Sequence, residues 1–190
     1  MYDINYYYNM LRMYSSTAEQ ICNIRWDFVQ KIEPKYVLDY GSGCGFFKAF
    51  APKGVVVDTY DIIQVPQTGI TREHYDLITF WDVLEHEDWG NLERNHSLPM
   101  ERLFDKADYI ALSLPILPEN KDFVTWKHRK PGEHQYYFSI DTLNRLFSIR
   151  GFKLVKSGYP ECSIREDIYS ALYGRTKYGK EDSAKSVITR

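Results

Sequence analysis

Residues 37–45 read VLDYGSGCG: an apolar run, an acid, then three glycines at every second position. A glycine inside a regular element costs roughly 0.5–1 kcal/mol against Ala. Three of them in nine residues therefore mark a turn that needs positive φ, or a main chain that something must approach closely. The run before the turn reads as a short buried strand, Tyr36 to Tyr40. The segment after it, Phe46 to Ala51 before Pro52, reads as a short helix. Strand, glycine turn and helix in that order form the first crossover of an α/β layer.

The rest of the chain extends this pattern. Ser16 followed by Glu19 is a capping-box spacing. Ile21, Ile24, Phe28 and Ile32 then recur at helical intervals, predicting an amphipathic helix over 17–32 that Pro34 ends. Strands are expected at Val55–Tyr60, Leu77–Trp81, Tyr109–Leu114, Phe152–Ser157 and Ile168–Tyr173. A helix is expected between Leu98 and Ala107 with Ser97 as its cap. Another starts at Ser139, carries Leu143, Leu146, Phe147 and Ile149, and stops at Gly151. Residues 116–137 read as a long loop.

Strands that alternate with helices and are apolar throughout predict a Rossmann-like, three-layer α/β sandwich with a mostly parallel sheet. No helix separates the last two strands, which are expected to form an antiparallel pair at one edge. A length of 190 residues suits one domain with a sizeable core. Its expected parts are an N-terminal helical lid or extension (1–35), a core (36–174) and a mobile charged tail (175–190). A net charge of −2 gives no footprint for nucleic acid. Tyr109 to Leu117, the most apolar stretch, is too short for a membrane span, and the N-terminus lacks the apolar core of a signal peptide. Cys22, Cys44 and Cys162 form no C-x-x-C pair, so neither a disulfide framework nor a metal site is expected, and the expected compartment is the cytoplasm.

Ligands of such sheets bind beyond the carboxyl ends of the strands. The turn here is G-x-G-x-G (Gly41, Gly43, Gly45), not the G-x-G-x-x-G of dinucleotide sites, since Phe46 stands where that pattern continues. A nicotinamide-dependent oxidoreductase is disfavoured accordingly. Asp39 at the strand end would repel a phosphate and suits a cationic or amine-bearing ligand. An acid at the end of the next strand would bind ribose hydroxyls; VVVDTYDI offers Asp58 and Asp61, and strand length favours Asp61. The expected ligand is a nucleoside with a positively charged, amino-acid-like arm.

VLDYGSGCG resembles the cofactor motif of class I S-adenosylmethionine-dependent methyltransferases. YDLITFWDVLEH resembles their fourth-strand motif, in the form common among small-molecule O- and C-methylating members such as those of quinone biosynthesis. KPGEHQYYFSIDTLNRLFSIRGFKLV is similar to the stretch of those enzymes from the substrate loop into the sixth strand. The resemblance spans residues 36–174. It implies S-adenosylmethionine as cofactor and S-adenosylhomocysteine as product. Gly41, Gly43 and Gly45 would lie along the methionine arm, Asp39 would orient its amine, and Asp61 would bind the ribose. Trp81 and Asp82 would sit beside the sulfonium. In one respect the chain departs from the family: residues 62–75 leave room for a short strand or loop, whereas the family fits a helix, a strand and an adenine-contacting acid there.

Methyl transfer to a hydroxyl benefits from a base. His86, just past the fourth-strand motif, is the candidate, with Glu85 either to orient it or to cap the next helix. His134 and Tyr137, in a loop that also holds His128 and Tyr136, are candidates for acceptor contact. Tyr6 to Tyr8 could fold over the pocket or simply pack, and Cys44 reads as a small filler of the turn. The expected partner is a small molecule. Asp82-Val83-Leu84-Glu85 replaces the N/D-P-P-Y/F run of amino-methylating DNA enzymes. The alternative is a shortened, weak or inactive member that serves as a binding or assembly module.

Overall fold

The computed structural model describes residues 15–62, 67–87 and 100–176, with 5, 8, 9, 11 and 12 before them. Helix α1 spans Ala18–Val29 and runs into a 3-10 turn at Gln30–Ile32; β1 is Tyr36–Tyr40, α2 is Phe46–Ala49, and β2 is Val56–Tyr60. Then come β3 (Tyr75–Trp81), α3 (Met100–Asp105), β4 (Ala107–Pro115), α4 (Ile140–Ser148), β5 (Phe152–Gly158) and β6 (Ile168–Arg175). The six strands form one sheet in the order β2-β1-β3-β4-β6-β5. The first four are parallel, and β6 runs antiparallel to both β4 and β5.

Residue alternation along the strands builds the three layers, because successive side chains point to opposite faces. Leu38, Ile78, Phe80, Ile110 and Leu112 lie in one core cluster with Leu103 and Phe104 of α3 and Leu143 and Phe147 of α4. Their neighbours Val37, Leu77, Trp81 and Ala111 lie in a second cluster with Cys22, Trp26, Phe28 and Val29 of α1 and Phe47 of α2. The helix expected within an N-terminal extension is thus a layer of the sandwich. Its N-cap position falls on Thr17, not Ser16. Trp26 stacks on Phe47 at 4.1 Å, and its indole N–H donates to the Phe47 carbonyl at 3.0 Å, tying α1 to the helix after the glycine turn. Ser139 caps α4 by accepting from the Thr142 N–H.

Between β2 and β3 the described residues form neither strand nor helix. Instead residues 67–69 run beside the outer edge of β2: Thr68 Oγ1 accepts from the Thr59 N–H at 2.6 Å, and the Gly69 N–H donates to the Thr59 carbonyl at 2.9 Å. That covers an edge otherwise left with unpaired backbone groups. The expected Ser97 cap, Tyr6, Tyr7 and the tail from 177 lie outside the described residues. Among the described residues no helix is long and apolar enough to cross a membrane.

Candidate functional site

The glycine turn leaves β1 at the carboxyl edge of the sheet. Gly41, Gly43 and Gly45 take φ of 73°, 50° and 72°, in the left-handed region that L side chains rarely adopt. The Gly41 and Ser42 N–H groups both donate to the Tyr60 carbonyl, at 2.7 and 3.1 Å, so the turn folds toward the end of β2. The three glycines differ in what surrounds them. A Cβ on Gly41 would lie 2.4 Å from Val83 Cγ2, whereas one on Gly43 or Gly45 would meet no heavy atom of the described residues within 4 Å. Gly41 makes room for the protein's own packing. Gly43 and Gly45 leave an open cradle of bare main chain, which fits the arm of a bound ligand.

The two candidate acids of β2 separate. Asp58 faces the bottom of the neighbouring loop: it accepts from the Tyr75 hydroxyl at 2.9 Å and from the Thr71 hydroxyl, with Arg72 at 3.6 Å. Asp61 reaches the turn, where its Oδ2 accepts from the Gly43 N–H at 2.6 Å. Gln67 fixes the Asp61 backbone, its amide oxygen accepting from the Asp61 N–H at 2.5 Å and its amide N–H donating to the Asp61 carbonyl at 3.1 Å. Asp39 lies beneath the turn, 2% exposed, and accepts from its cross-strand partner Thr79 at 2.8 Å. Burial pushes its carboxyl up to about 7, against the opposing pull of the Thr79 bond and of Arg25.

At the end of β3, Trp81 meets Phe47 edge-on at 5.4 Å, and the Arg25 guanidinium lies 5.0 Å over its ring. Asp82 turns the chain with φ 59°. It is one of four charged groups that meet here, together with Arg25, Glu161 and Arg165. Arg25 donates to Asp82 at 2.9 Å and to Glu161 at 2.8 Å, while Arg165 donates to Asp82 at 2.8 Å and to Glu161 at 3.0 Å. Burial opposes ionisation of Asp82, but Arg165 and then Arg25 outweigh it and hold the carboxyl well below the usual range. Sequence reasoning passed over Arg25, Glu161 and Arg165. Two signals were present: Arg25 follows Ile21 by four residues on the apolar arc of α1, and Glu161 and Arg165 are an i,i+4 pair.

The candidates expected to face the acceptor do meet. The Glu85 carbonyl accepts from the Gln135 and Tyr136 N–H groups at 2.7 and 3.1 Å, pinning the 116–137 loop to the end of β3. His86 Nδ1 lies 3.0 Å from the Glu133 carbonyl, and the rings of His86 and His134 meet edge-on at 4.7 Å. Tyr137 lies 5.8 Å from His134, its hydroxyl accepting from the Lys130 N–H at 3.0 Å. Burial, followed by the charge of Asp82, raises the Glu85 carboxyl well above the carboxylate range. Burial lowers both imidazoles, bringing His134 to about 4 with His86 as the second cause. His128 belongs elsewhere, bonded to the Glu166 carbonyl at 2.9 Å. Cys44 is half-buried in the turn, with its thiol raised first by burial.

A family model described as a methyltransferase domain matches residues 15–157. Among solved structures, magnesium protoporphyrin IX methyltransferase from Synechocystis PCC 6803 with bound SAH superposes with a TM-score of 0.56 at 18% identity, covering 83% of each chain. A 1,6-didemethyltoxoflavin-N1-methyltransferase from Burkholderia thailandensis gives 0.55 at 15% identity, covering 93% of this chain and 91% of that one. Human N-acetylserotonin methyltransferase gives 0.61 at 13% identity, covering 90% of this chain and 55% of that one. No curated relative matches the chain by sequence. With a matching family over three quarters of its length and the open glycine cradle at the carboxyl edge of β1, the chain belongs to the methyltransferase-domain family, among the class I S-adenosylmethionine-dependent enzymes.

Proposed function

We propose that the protein transfers a methyl group from S-adenosylmethionine to an oxygen or carbon of a small-molecule acceptor. The observation that carries this reading is the cradle over Gly43 and Gly45, bounded by Asp61. When bound, the cofactor supplies a methyl group on a sulfonium, already activated for in-line displacement. Gly43 and Gly45 would line its amino-acid arm, with Gly41 holding the turn that presents them. Asp61 would accept from the ribose hydroxyls, and Asp39 would act on the amine from its buried position. Trp81 and Asp82 would border the sulfonium, Asp82 kept anionic by its two arginines.

Glu85, His86, His134 and Tyr137 would line the acceptor side. Transfer to a hydroxyl forms the new bond from oxygen to the methyl carbon, while the carbon–sulfur pair stays with sulfur and the hydroxyl proton must leave. His86 is the residue proposed to receive that proton, with Glu85 beside it at 3.9 Å. A net charge of −2 favours a small molecule over a nucleic acid. Cys22, Cys44 and Cys162 are not joined in disulfides, which suits a reducing cytoplasm.

Calorimetric titration with S-adenosylmethionine, S-adenosylhomocysteine and NAD tests the reading. Micromolar binding of the first two, without NAD, is the expected result. Failure to bind any of them would favour the other reading that the short 62–75 segment allows, a fold kept as a binding or assembly module.

A further inference from the structure

Glu85, His86 and His134 each offer a ligand atom, and these atoms all lie within 4.8 Å of one another. Donors bound to one cation at about 2.1 Å stand about 3–4 Å apart, so small side-chain rotations would close this set on an ion. His86 already has the outer bond of a metal-binding imidazole. Its Nδ1 faces the Glu133 carbonyl at 3.0 Å, and a carbonyl only accepts, so Nδ1 carries the proton. Its Nε2 lies 3.9 Å from Glu85 Oε1.

Among the described residues, Glu85 is 2% exposed and its Oε2 has no hydrogen-bond partner; His134 is 7% exposed and its Nδ1 has none. Buried polar atoms are bonded in the great majority of cases, and each one left unpaired costs about 1–3 kcal/mol. The nearby arginines do not supply the missing charge, since Arg25 and Arg165 are engaged by Asp82 and Glu161.

We propose that Glu85, His86 and His134 form a two-histidine, one-carboxylate site for a divalent transition cation. Two nitrogens and one oxygen suit zinc, iron, manganese or cobalt, and not calcium or magnesium, which take oxygen ligands. Three protein ligands leave coordination positions open. The use of the site rests on the methyltransferase reading: an acceptor hydroxyl takes an open position, its oxygen binds the cation, and its proton passes to water. The oxygen lone pair then forms the bond to the methyl carbon as the carbon–sulfur pair stays with sulfur. With the cation in place His86 is a ligand, so the acceptor is narrowed to a molecule with an ionisable hydroxyl.

The test uses full-length protein stripped by a chelator and titrated with Co2+, with S-adenosylhomocysteine binding measured on the same samples. One equivalent of Co2+ per chain is expected, with visible absorption bands of low coordination number and displacement by Zn2+. Glu85→Gln and His134→Asn should each weaken Co2+ binding by about tenfold or more while keeping S-adenosylhomocysteine binding. Hyperfine-shifted imidazole N–H signals from two histidines in the Co2+ protein report ligation without any variant. Protein that binds S-adenosylhomocysteine but takes up no stoichiometric Co2+, or shows no shifted imidazole signals, overturns the site. Protein that binds Co2+ with those signals but no S-adenosylhomocysteine leaves the site standing and overturns the methyltransferase reading.

Discussion

Gly41 and Gly43 are two residues apart in one turn, yet substitution should harm different properties. A Cβ on Gly41 carries a left-handed φ of 73° and a contact of 2.4 Å with Val83. The left-handed conformation costs about 1–2 kcal/mol and overpacking about 1–3 kcal/mol more. Gly41→Ala should therefore lower unfolding stability by about 3 kcal/mol, read by urea titration. Gly43→Val carries a backbone cost of at least about 1–2 kcal/mol without the clash at Gly41, because no heavy atom of the described residues lies within 4 Å of its Cβ position. It should stay folded and lose S-adenosylhomocysteine binding in calorimetry, and retained binding would empty the cradle argument. The acids behave likewise. Asp61→Ala should weaken S-adenosylhomocysteine binding by about ten- to a hundredfold, the loss of a charged acceptor. Asp58→Asn, against Tyr75 and Thr71, should lower the melting temperature without that loss. The glycine spacing and the two acids were legible in the sequence. The split between packing and binding glycines was not, because it depends on Val83, a residue contributed from beyond the end of another strand.

Three elements meet in the Arg25–Asp82–Arg165–Glu161 group: α1, the end of β3, and the segment between β5 and β6. Strand and helix placement was largely readable, since β1, β3, β4 and β6 are largely apolar runs and Pro34, Gly41, Pro52 and Gly151 mark breaks, whereas β5 (FKLVKSG) is mostly exposed. The way those elements are fastened was not. Charges on α1 and between β5 and β6 have no periodic relation to one another, and only the fold brings them within 3 Å. The His86–His134 contact was hidden for the same reason, which is why cysteine spacing alone pointed away from a metal. Removing one member of a buried ion group leaves the others uncompensated, at about 3–5 kcal/mol. The Asp82 side chain keeps 29% exposure, so Arg165→Met should cost near the lower end, about 3 kcal/mol. Glu161→Gln combined with Arg165→Met should cost less than the sum of the single changes, because each removes the other's stranded charge. Additive losses in urea titrations would show that the four groups do not act together.

Across the whole molecule, the sheet ends at β2 with residues 67–69 laid along its edge, in keeping with the short 62–75 segment read from the sequence. The interior also sets how the entire fold responds to pH, and among its shifted carboxyls Asp82 and Asp39 move in opposite directions. Asp82 is held below the usual range, so its contribution is complete above the ordinary carboxylate pKa and is lost as pH falls through its folded value. Asp39 does the reverse. Its folded carboxyl keeps the proton up to about 7, whereas in the unfolded chain it ionises near 3.8. Between those values the native state binds more protons than the unfolded state, so the unfolding free energy falls as pH rises. Arg25 and the Thr79 hydroxyl moderate this and Asp61 adds to it, but burial is the largest cause. Asp39→Asn keeps an oxygen for Thr79 and removes the titration. Compared with wild type at pH 4, 5, 6 and 7 in urea, the variant should gain relative stability at each step upward and level off above about 7. A difference that stays constant across those four values would mean that Asp39 is already ionised in the native protein, with solvent or a counter-charge reaching beneath the turn.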